Sequence, residues 1–402
     1  MQWIIEHHLL LLIPVVSALV GWGTNYLAVK MMFYPLKFIG IEKLYLGWQG
    51  LIPNKRKEMA EISVDLLLGK LLSVHELVDR LEPDKVNAAI ERRLKQVIKK
   101  IINEVMEESA PRMWSALPAQ GKNLIYARVE ADIPNVVEKL VRDFQHNVVE
   151  ILDIKELVVD YLSDHPALLN EIFLTSGNKE FPFIVNSGLY FGFLLGLPTM
   201  VCWYFYQAWW ILPVGGLLVG YLTNWIALQI IFEPKHPIKF GPFTIQGMFL
   251  KRQHEVAEVY ANLIERKLMN SENIIRAVLH GSGSQQLWEI VELHVSDAIE
   301  RYVAIGQPYF GLGIGPESYF QMKKSAAKRV FDSSEKYLLY LHEYADSALN
   351  IGDDLRDKMR SLSPAEFENV LRPAYKQDEW KLIVVGSVLG GLAGIIQLYY
   401  IF

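Results

Sequence analysis

Between Phe181 and Phe232 the chain carries no Asp, Glu, Lys or Arg. A helix crosses a bilayer with about 20 apolar residues, so this block is long enough for two crossings joined by a tight turn. The turn falls at Tyr206-Gln207-Ala208, and Trp203, Tyr204, Trp209 and Trp210 around it suit a membrane–water boundary. Two further apolar blocks, Leu9 to Phe33 and Leu382 to Phe402, are each long enough for one crossing. An uncharged run of this length has no ordinary place in a soluble core, which sets aside a soluble helical protein.

The rest of the chain is of a different kind. A composition 51% hydrophobic and 21% charged is the average of very apolar spans and charged, water-soluble segments. A net charge of -5 argues against general nucleic-acid binding, which needs a basic face. The single cysteine, Cys202, excludes an internal disulfide and a multi-cysteine zinc site. Met1 to His8 carries Glu6 and no Lys or Arg, unlike the start of a secretory signal, so the first span is expected to stay in the mature protein.

Charge sets the direction of the spans. Lys37, Lys43, Lys55, Arg56 and Lys57 follow the first, and Lys235, Lys239, Lys251 and Arg252 follow the third. Nothing basic precedes span one, joins spans two and three, or follows span four. The positive-inside rule therefore puts both long segments in the cytoplasm and both termini outside. The expected order is an external N-terminus 1–8, span one 9–33, cytoplasmic helical domain A 34–180, span two 181–206, span three 208–232, cytoplasmic helical domain B 233–379 and span four 380–402.

The two halves repeat. At one constant offset Gly21-Trp-Gly-Thr24-Asn25-Tyr-Leu-Ala28 lies over Gly220-Tyr-Leu-Thr223-Asn224-Trp-Ile-Ala227, and Phe33-Tyr34-Pro35 over Phe232-Glu233-Pro234. Gln49-Gly50 and Glu58-Met59-Ala60-Glu61 return as Gln246-Gly247 and Glu255-Val256-Ala257-Glu258. Gly188, Gly192 and Gly196 match Gly386, Gly390 and Gly394. The expected fold is mainly α: four transmembrane helices from a tandem same-orientation repeat, each half reading span, cytoplasmic domain, span. Such halves are related by an axis along the membrane normal.

Glycines four apart form a flat stripe on a helix, and such stripes let backbones approach closely in lipid. Gly21, Thr24, Asn25 and Ala28 share one face of span one. That face is expected to meet a glycine stripe, as is the face of Gly220, Thr223, Asn224 and Ala227. Thr24, Asn25, Thr223 and Asn224 then serve as interhelical hydrogen-bonding groups, with a polar pathway for a solute as the alternative.

The cytoplasmic segments read as helices. Val86, Ile90, Leu94, Val97, Ile98, Ile101 and Val105 make an apolar stripe opposite Arg92, Arg93, Lys95, Lys99 and Lys100. A second stripe holds Val136, Leu140, Phe144 and Val148. The first helix is either a bundle member or a basic helix lying on anionic lipid. Ser363-Pro364-Ala365-Glu366 is a capping box that starts a helix. Leu36 to Pro53 and Ile238 to Leu250 suit small β-hairpins or interfacial loops, with Trp48 at the lipid surface. Lys55, Arg56 and Lys57, with Lys251 and Arg252, are candidate lipid-headgroup contacts, or else only the topology signal.

No catalytic constellation is visible. The histidines form no HxxxH or HExxH pair, and His7-His8 reads as a polar end to span one. Gly311-Leu-Gly313-Ile-Gly315 lacks the spacing of a dinucleotide loop. Asp353-Asp354 and Asp378-Glu379 have no partners at metal-ligand spacing. The expectation is a non-enzyme without cofactor or metal.

The Gly-x-x-Thr-Asn-aromatic segment of span one, Gln49-Gly50-Leu51-Ile52-Pro53, and Asp378-Glu379-Trp-Lys-Leu-Ile with the Gly386-x-x-x-Gly390 span are similar to the YheB/YjiN-like bacterial membrane proteins. The resemblance covers nearly the whole chain. It implies a bacterial cytoplasmic-membrane location, assigns no activity and supplies no functional residues. The expected role is a membrane-anchored helical protein whose cytoplasmic part organises or binds a partner, anionic lipid or an envelope protein, at the inner surface. The alternative is a transporter or lipid-moving protein that uses the duplicated membrane bundle.

Overall fold

The computed structural model describes residues 9–41, 46–241, 243–306, 315–372, 376 and 379–401. The expected N-terminal segment 1–8 with His7-His8, and Lys43, Gly311, Gly313 and Asp378, lie outside the described residues. The longer helices are α1 (Leu12–Phe33), α2 (Arg56–Leu66), α3 (Pro83–Ser109), α4 (Ala119–His146), α5 (Ile154–Asp164), α6 (Pro166–Ser176), α7 (Glu180–Phe205) and α8 (Ile211–Phe232). They continue with α9 (Gln253–Leu263), α10 (Ser271–His280), α11 (Ser284–Gly306), α12 (Pro316–Leu338), α13 (His342–Leu349), α14 (Ile351–Ser361), α15 (Pro364–Leu371) and α16 (Glu379–Tyr400). Two antiparallel ribbons follow α1 and α8. β1 (Ile39–Ile41) pairs with β2 (Leu46–Trp48), and β3 (Ile238–Phe240) with β4 (Phe243–Ile245). Gly241 opens the second turn at φ 60°, a left-handed conformation that glycine adopts without strain.

The chain divides into two compact units. The first is Met1–Leu67, Val159–Ile264 and Leu355–Phe402; the second is Leu68–Val158 and Glu265–Asp354. The division cuts across the two half-chains. The second unit joins helices from both, because the apolar stripe of α3 finds its partners on α4 and on α12.

In the first unit α1, α7, α8 and α16 are long and apolar enough to cross a membrane. Their burial pattern is the reverse of a soluble core. Small and polar residues face inward: Gly21, Thr24, Asn25, Gly188, Gly192, Thr223 and Asn224 are buried. Large apolar ones face outward: Leu19, Tyr190, Leu194, Leu218 and Ile396 are exposed. Water makes that arrangement costly and lipid makes it free. The aromatics Phe205, Tyr206, Trp209, Trp210, Tyr399 and Tyr400 are exposed at the ends of the apolar helices, as in an interfacial belt.

Where these helices start and stop has local causes. Asn170 on α6 donates its Nδ2 to the Phe33 carbonyl at 2.6 Å, satisfying one open acceptor at the end of α1. α7 begins with Glu180 and α16 with Glu379, acids at the favourable end of each helix dipole. Glu379 meets Arg372, which also pairs with Glu368 and lies over the Phe232 ring. Burial opposes ionisation of Glu368, but Lys235 and Arg372 outweigh it and hold its carboxyl below the usual carboxylate range. Ser363 and Glu366 close the capping box that starts α15.

Candidate functional site

Two places in the molecule have the chemistry of a site: the polar faces of the apolar bundle and the interior of the second unit. In the bundle, α1 pairs with α7 and α8 with α16 through their glycines. A Cβ at Gly21 would strike the Gly188 carbonyl, and one at Gly188 would lie 2.8 Å from Asn25 Nδ2. A Cβ at Gly192 would lie 3.0 Å from Ala18 Cα, and one at Gly196 2.7 Å from Pro14 Cα. In the other pair Gly220 meets Gly386, Gly390 meets Gly216, and Gly394 lies with an added Cβ 2.8 Å from Pro213 Cα. Backbone sits on backbone, which only glycine permits.

Of the two Thr-Asn pairs expected to bond between helices, Asn25 does so, and Thr24 and Asn224 turn to carbonyls of their own helices instead. Asn25 Nδ2 donates to the Ile184 carbonyl at 2.6 Å, across to α7. Thr24 Oγ1 donates to the Gly21 carbonyl at 3.1 Å, and Asn224 Nδ2 to the Gly220 carbonyl at 3.2 Å, both within their own helices. Thr223 is fully buried. A cavity of about 10 Å³ lies among Ser17, Thr199, Gly216, Gly390 and Gln397. That is room for a single water.

Three of the five cations expected at headgroups have protein partners. Arg56 donates to the Ser163 and Pro53 carbonyls at 3.0 and 3.2 Å. Lys55 pairs with Glu58 at 3.5 Å. Arg252 donates to both oxygens of Glu180 at 2.7 and 2.6 Å, and to Glu255 and Asn178. Lys57 and Lys251 are exposed. The sequence groups these five cations as headgroup contacts. The structure leaves Lys57 and Lys251 outward and turns Arg56 and Arg252 onto helix ends, because buried acceptors there need donors.

Glu180 is buried, with 3% of its surface exposed. Removing its guanidinium strands a charge, and Arg252→Ala is expected to lower stability by about 3–5 kcal/mol. Arg252→Ala with Glu180→Leu is expected to recover most of that loss in thermal unfolding. Arg252 and Lys179 also hold the Glu255 carboxyl down to about 2 from an ordinary 4.5. A depressed carboxylate stabilises the fold above its unfolded value, and the contribution is lost as pH falls from about 4.5 to about 2. Glu255→Gln is expected to flatten that part of an acid-unfolding curve.

The second unit holds the feature that the sequence does not announce. α3, α4, α10, α11, α12 and α13 line a partly open apolar cavity of about 340 Å³. Its lining is Val, Ile and Leu, including Val86, Ile90, Leu94, Ile98, Ile101, Val137, Val291 and Ile299, with Phe144 and Phe331. Three of the four hydroxyl side chains in the lining, those of Tyr302, Tyr337 and Ser271, are engaged by protein. Tyr302 donates to Asp132 at 2.7 Å, Tyr337 to the Val330 carbonyl at 3.0 Å, and Ser271 Oγ lies 2.8 Å from His342 Nδ1. Burial, and then the bond to Asp132, push the Tyr302 phenol above its usual range.

Along α3 the lining runs from Val86 to Ile102, about 24 Å at 1.5 Å per residue. One leaflet of a bilayer's hydrocarbon core is about 15 Å thick. The cavity is thus long enough for an extended acyl chain, and its volume is that of a small-molecule site. The stripe on α3 faces this interior, and its basic face makes ion pairs. Lys95 meets Glu91 at 2.6 Å, Lys99 meets Glu130 at 3.0 Å, and Arg93 lies over Tyr340. The Val/Ile/Leu stripe of α3 marks an apolar face and does not distinguish a filled interior from an empty one. Among the described residues no group of His, Cys, Asp and Glu is placed to hold a metal.

No family model matches the chain, and no solved structure matches it. Over nearly its full length it is similar to proteins named UPF0754 membrane protein. The one from Microcystis aeruginosa is 23% identical over 96% of this chain and 95% of its own length. The one from Staphylococcus saprophyticus is 27% identical over 95% of each. That from Nostoc punctiforme is 20% identical over 96% of each. With its four apolar helices, this chain is a membrane protein. The relatives' names state no activity.

Proposed function

We propose that this is a membrane-anchored lipid-binding protein: the four apolar helices hold it in the bilayer, and the helical second unit takes up one acyl chain. The apolar cavity carries the reading. The Val, Ile and Leu side chains around this space of about 340 Å³ lack contacts on one side, and a hydrocarbon chain would supply them. Apolar cavities stay dry and accept apolar molecules, so water is a poor occupant and a hydrocarbon chain a good one. The lining is almost wholly aliphatic and aromatic, so the specificity is for length and apolarity, and the role is binding without catalysis.

The basic residues after α1 and α8 support a cytoplasmic position for both long segments. The matching motifs of the two halves support a tandem duplication. The resemblance to YheB/YjiN-like proteins supports a bacterial cytoplasmic membrane. Close glycine packing within the bundle favours an anchor over a solute path.

Native mass spectrometry of the full chain released from detergent tests the proposal. The wild type is expected to retain one acyl-chain lipid or fatty acid after the micelle is stripped. A chain that emerges with no bound lipid mass contradicts it.

A further inference from the structure

The two β-ribbons present apolar faces that the protein does not cover. Ile39 and Ile41, two apart on β1, share one face and are 67% and 57% exposed. Ile238 and Ile245 stand directly opposite each other in the second ribbon and are 56% and 52% exposed. The other faces differ in kind. Gly40 pairs with Gly47 in the first ribbon, and Lys239 with Thr244 in the second. Each ribbon therefore has an isoleucine face and a glycine or polar face.

Neither ribbon is a loose loop. Gly50 N donates to the Pro35 carbonyl at 2.9 Å, and Gln49 Nε2 to the Leu36 carbonyl at 2.8 Å. Trp48 turns back and donates its indole N–H to the Met31 carbonyl at 3.3 Å, in the last turn of α1. Gly247 N donates to the Pro234 carbonyl at 3.1 Å, and Gln246 Nε2 to the Lys235 carbonyl at 3.3 Å. A Cβ at Gly50 would lie 2.7 Å from the Phe33 carbonyl carbon, and one at Gly247 would lie 2.7 Å from that of Phe232. Both roots are thus fixed against the final residues of an apolar helix, where the hydrocarbon layer ends.

A lone two-stranded ribbon is barely stable in water, and an exposed apolar ribbon edge invites aggregation. At the end of a span the surroundings change. The headgroup layer adds about 5–8 Å on each side of the hydrocarbon. Exposed Lys37 and Lys239 beside the isoleucines match anionic headgroups. We propose that the two ribbons are membrane-dipping elements. Their isoleucine faces insert into the interfacial layer of the leaflet in which α1 and α8 end, so the partner is bilayer lipid.

The test uses the full chain in vesicles of phosphatidylglycerol and phosphatidylethanolamine. In a Cys202→Ser background, Ile39→Cys and, separately, Ile245→Cys carry an environment-sensitive fluorophore. These positions are exposed, so folding is expected to survive, and circular dichroism checks it. The expected result is blue-shifted emission, loss of intensity with nitroxide-bearing lipid, and little loss with aqueous iodide. Quenching by iodide and not by lipid nitroxide overturns the proposal. Protection from both quenchers, with Ile39→Cys cross-linking between two copies, also overturns it and assigns the faces to self-association. None of these outcomes depends on acyl-chain binding in the second unit.

Discussion

Val137→Phe combined with Val291→Phe is expected to abolish retention of the acyl chain while raising the melting temperature of the lipid-free protein. Both valines line the cavity and both are buried. Two aromatic rings would occupy space that a bound chain needs. A substitution that merely damaged the fold would lower stability together with binding. Filling a void restores contacts worth about 24 cal/mol per Å³, and cavity-filling changes commonly add about 0.5–2 kcal/mol. On the proposed function a bound lipid adds to the wild type's stability by mass action, so the wild type alone should lose melting temperature on delipidation. Native mass spectrometry and thermal unfolding, with and without delipidation, read the two halves of this prediction. Equal lipid retention in variant and wild type would place the lipid elsewhere.

Gly188→Leu and Gly386→Leu are each expected to destabilise the apolar bundle by at least about 1–3 kcal/mol, the cost of forcing side-chain atoms into a filled interface. The obstruction at Gly188 is the Gly21 carbonyl and Asn25, and at Gly386 it is Asn224 and the Gly220 carbonyl. Backbone cannot swing aside as a flexible side chain does, so the helices must separate. Separation breaks the Asn25 bond to the Ile184 carbonyl as well. Gly23 provides the control, since a Cβ there meets nothing within 4 Å. Gly23→Leu should leave the bundle's resistance to dodecyl sulfate unchanged, whereas Gly188→Leu should lower it sharply.

Much of the first unit is legible in the chain because lipid imposes long-range composition. The uncharged block from Phe181 to Phe232 locates α7 and α8, and the structure opens α8 at Ile211, leaving Trp209 and Trp210 in the turn. Glycines four apart state that a backbone will approach, and Gly-Pro-rich segments after the spans state that helix stops. The second unit is less legible. Periodicity reports which face of α3 is apolar, but not which helix covers it. The helices that cover it come from both half-chains. The stripe also does not say whether its residues meet atoms or empty space, so the cavity is invisible in it. The basic residues fail for a related reason. Arg252 beside a span reads equally as a headgroup contact or as an ion-pair partner, and Glu180, distant in sequence, decides between them.

On the proposed function a lipid chain lies inside the second unit as well as around the apolar helices. Photo-crosslinking in native membranes with a phospholipid bearing a diazirine on its acyl chain tests it most directly, with labelled peptides mapped along the whole chain. Labels are expected at cavity-lining positions such as Ile98, Val137 and Val291, lost in the Val137→Phe/Val291→Phe protein while labels on the apolar helices persist. Labels confined to the apolar helices and the β-ribbons in the wild type would contradict it.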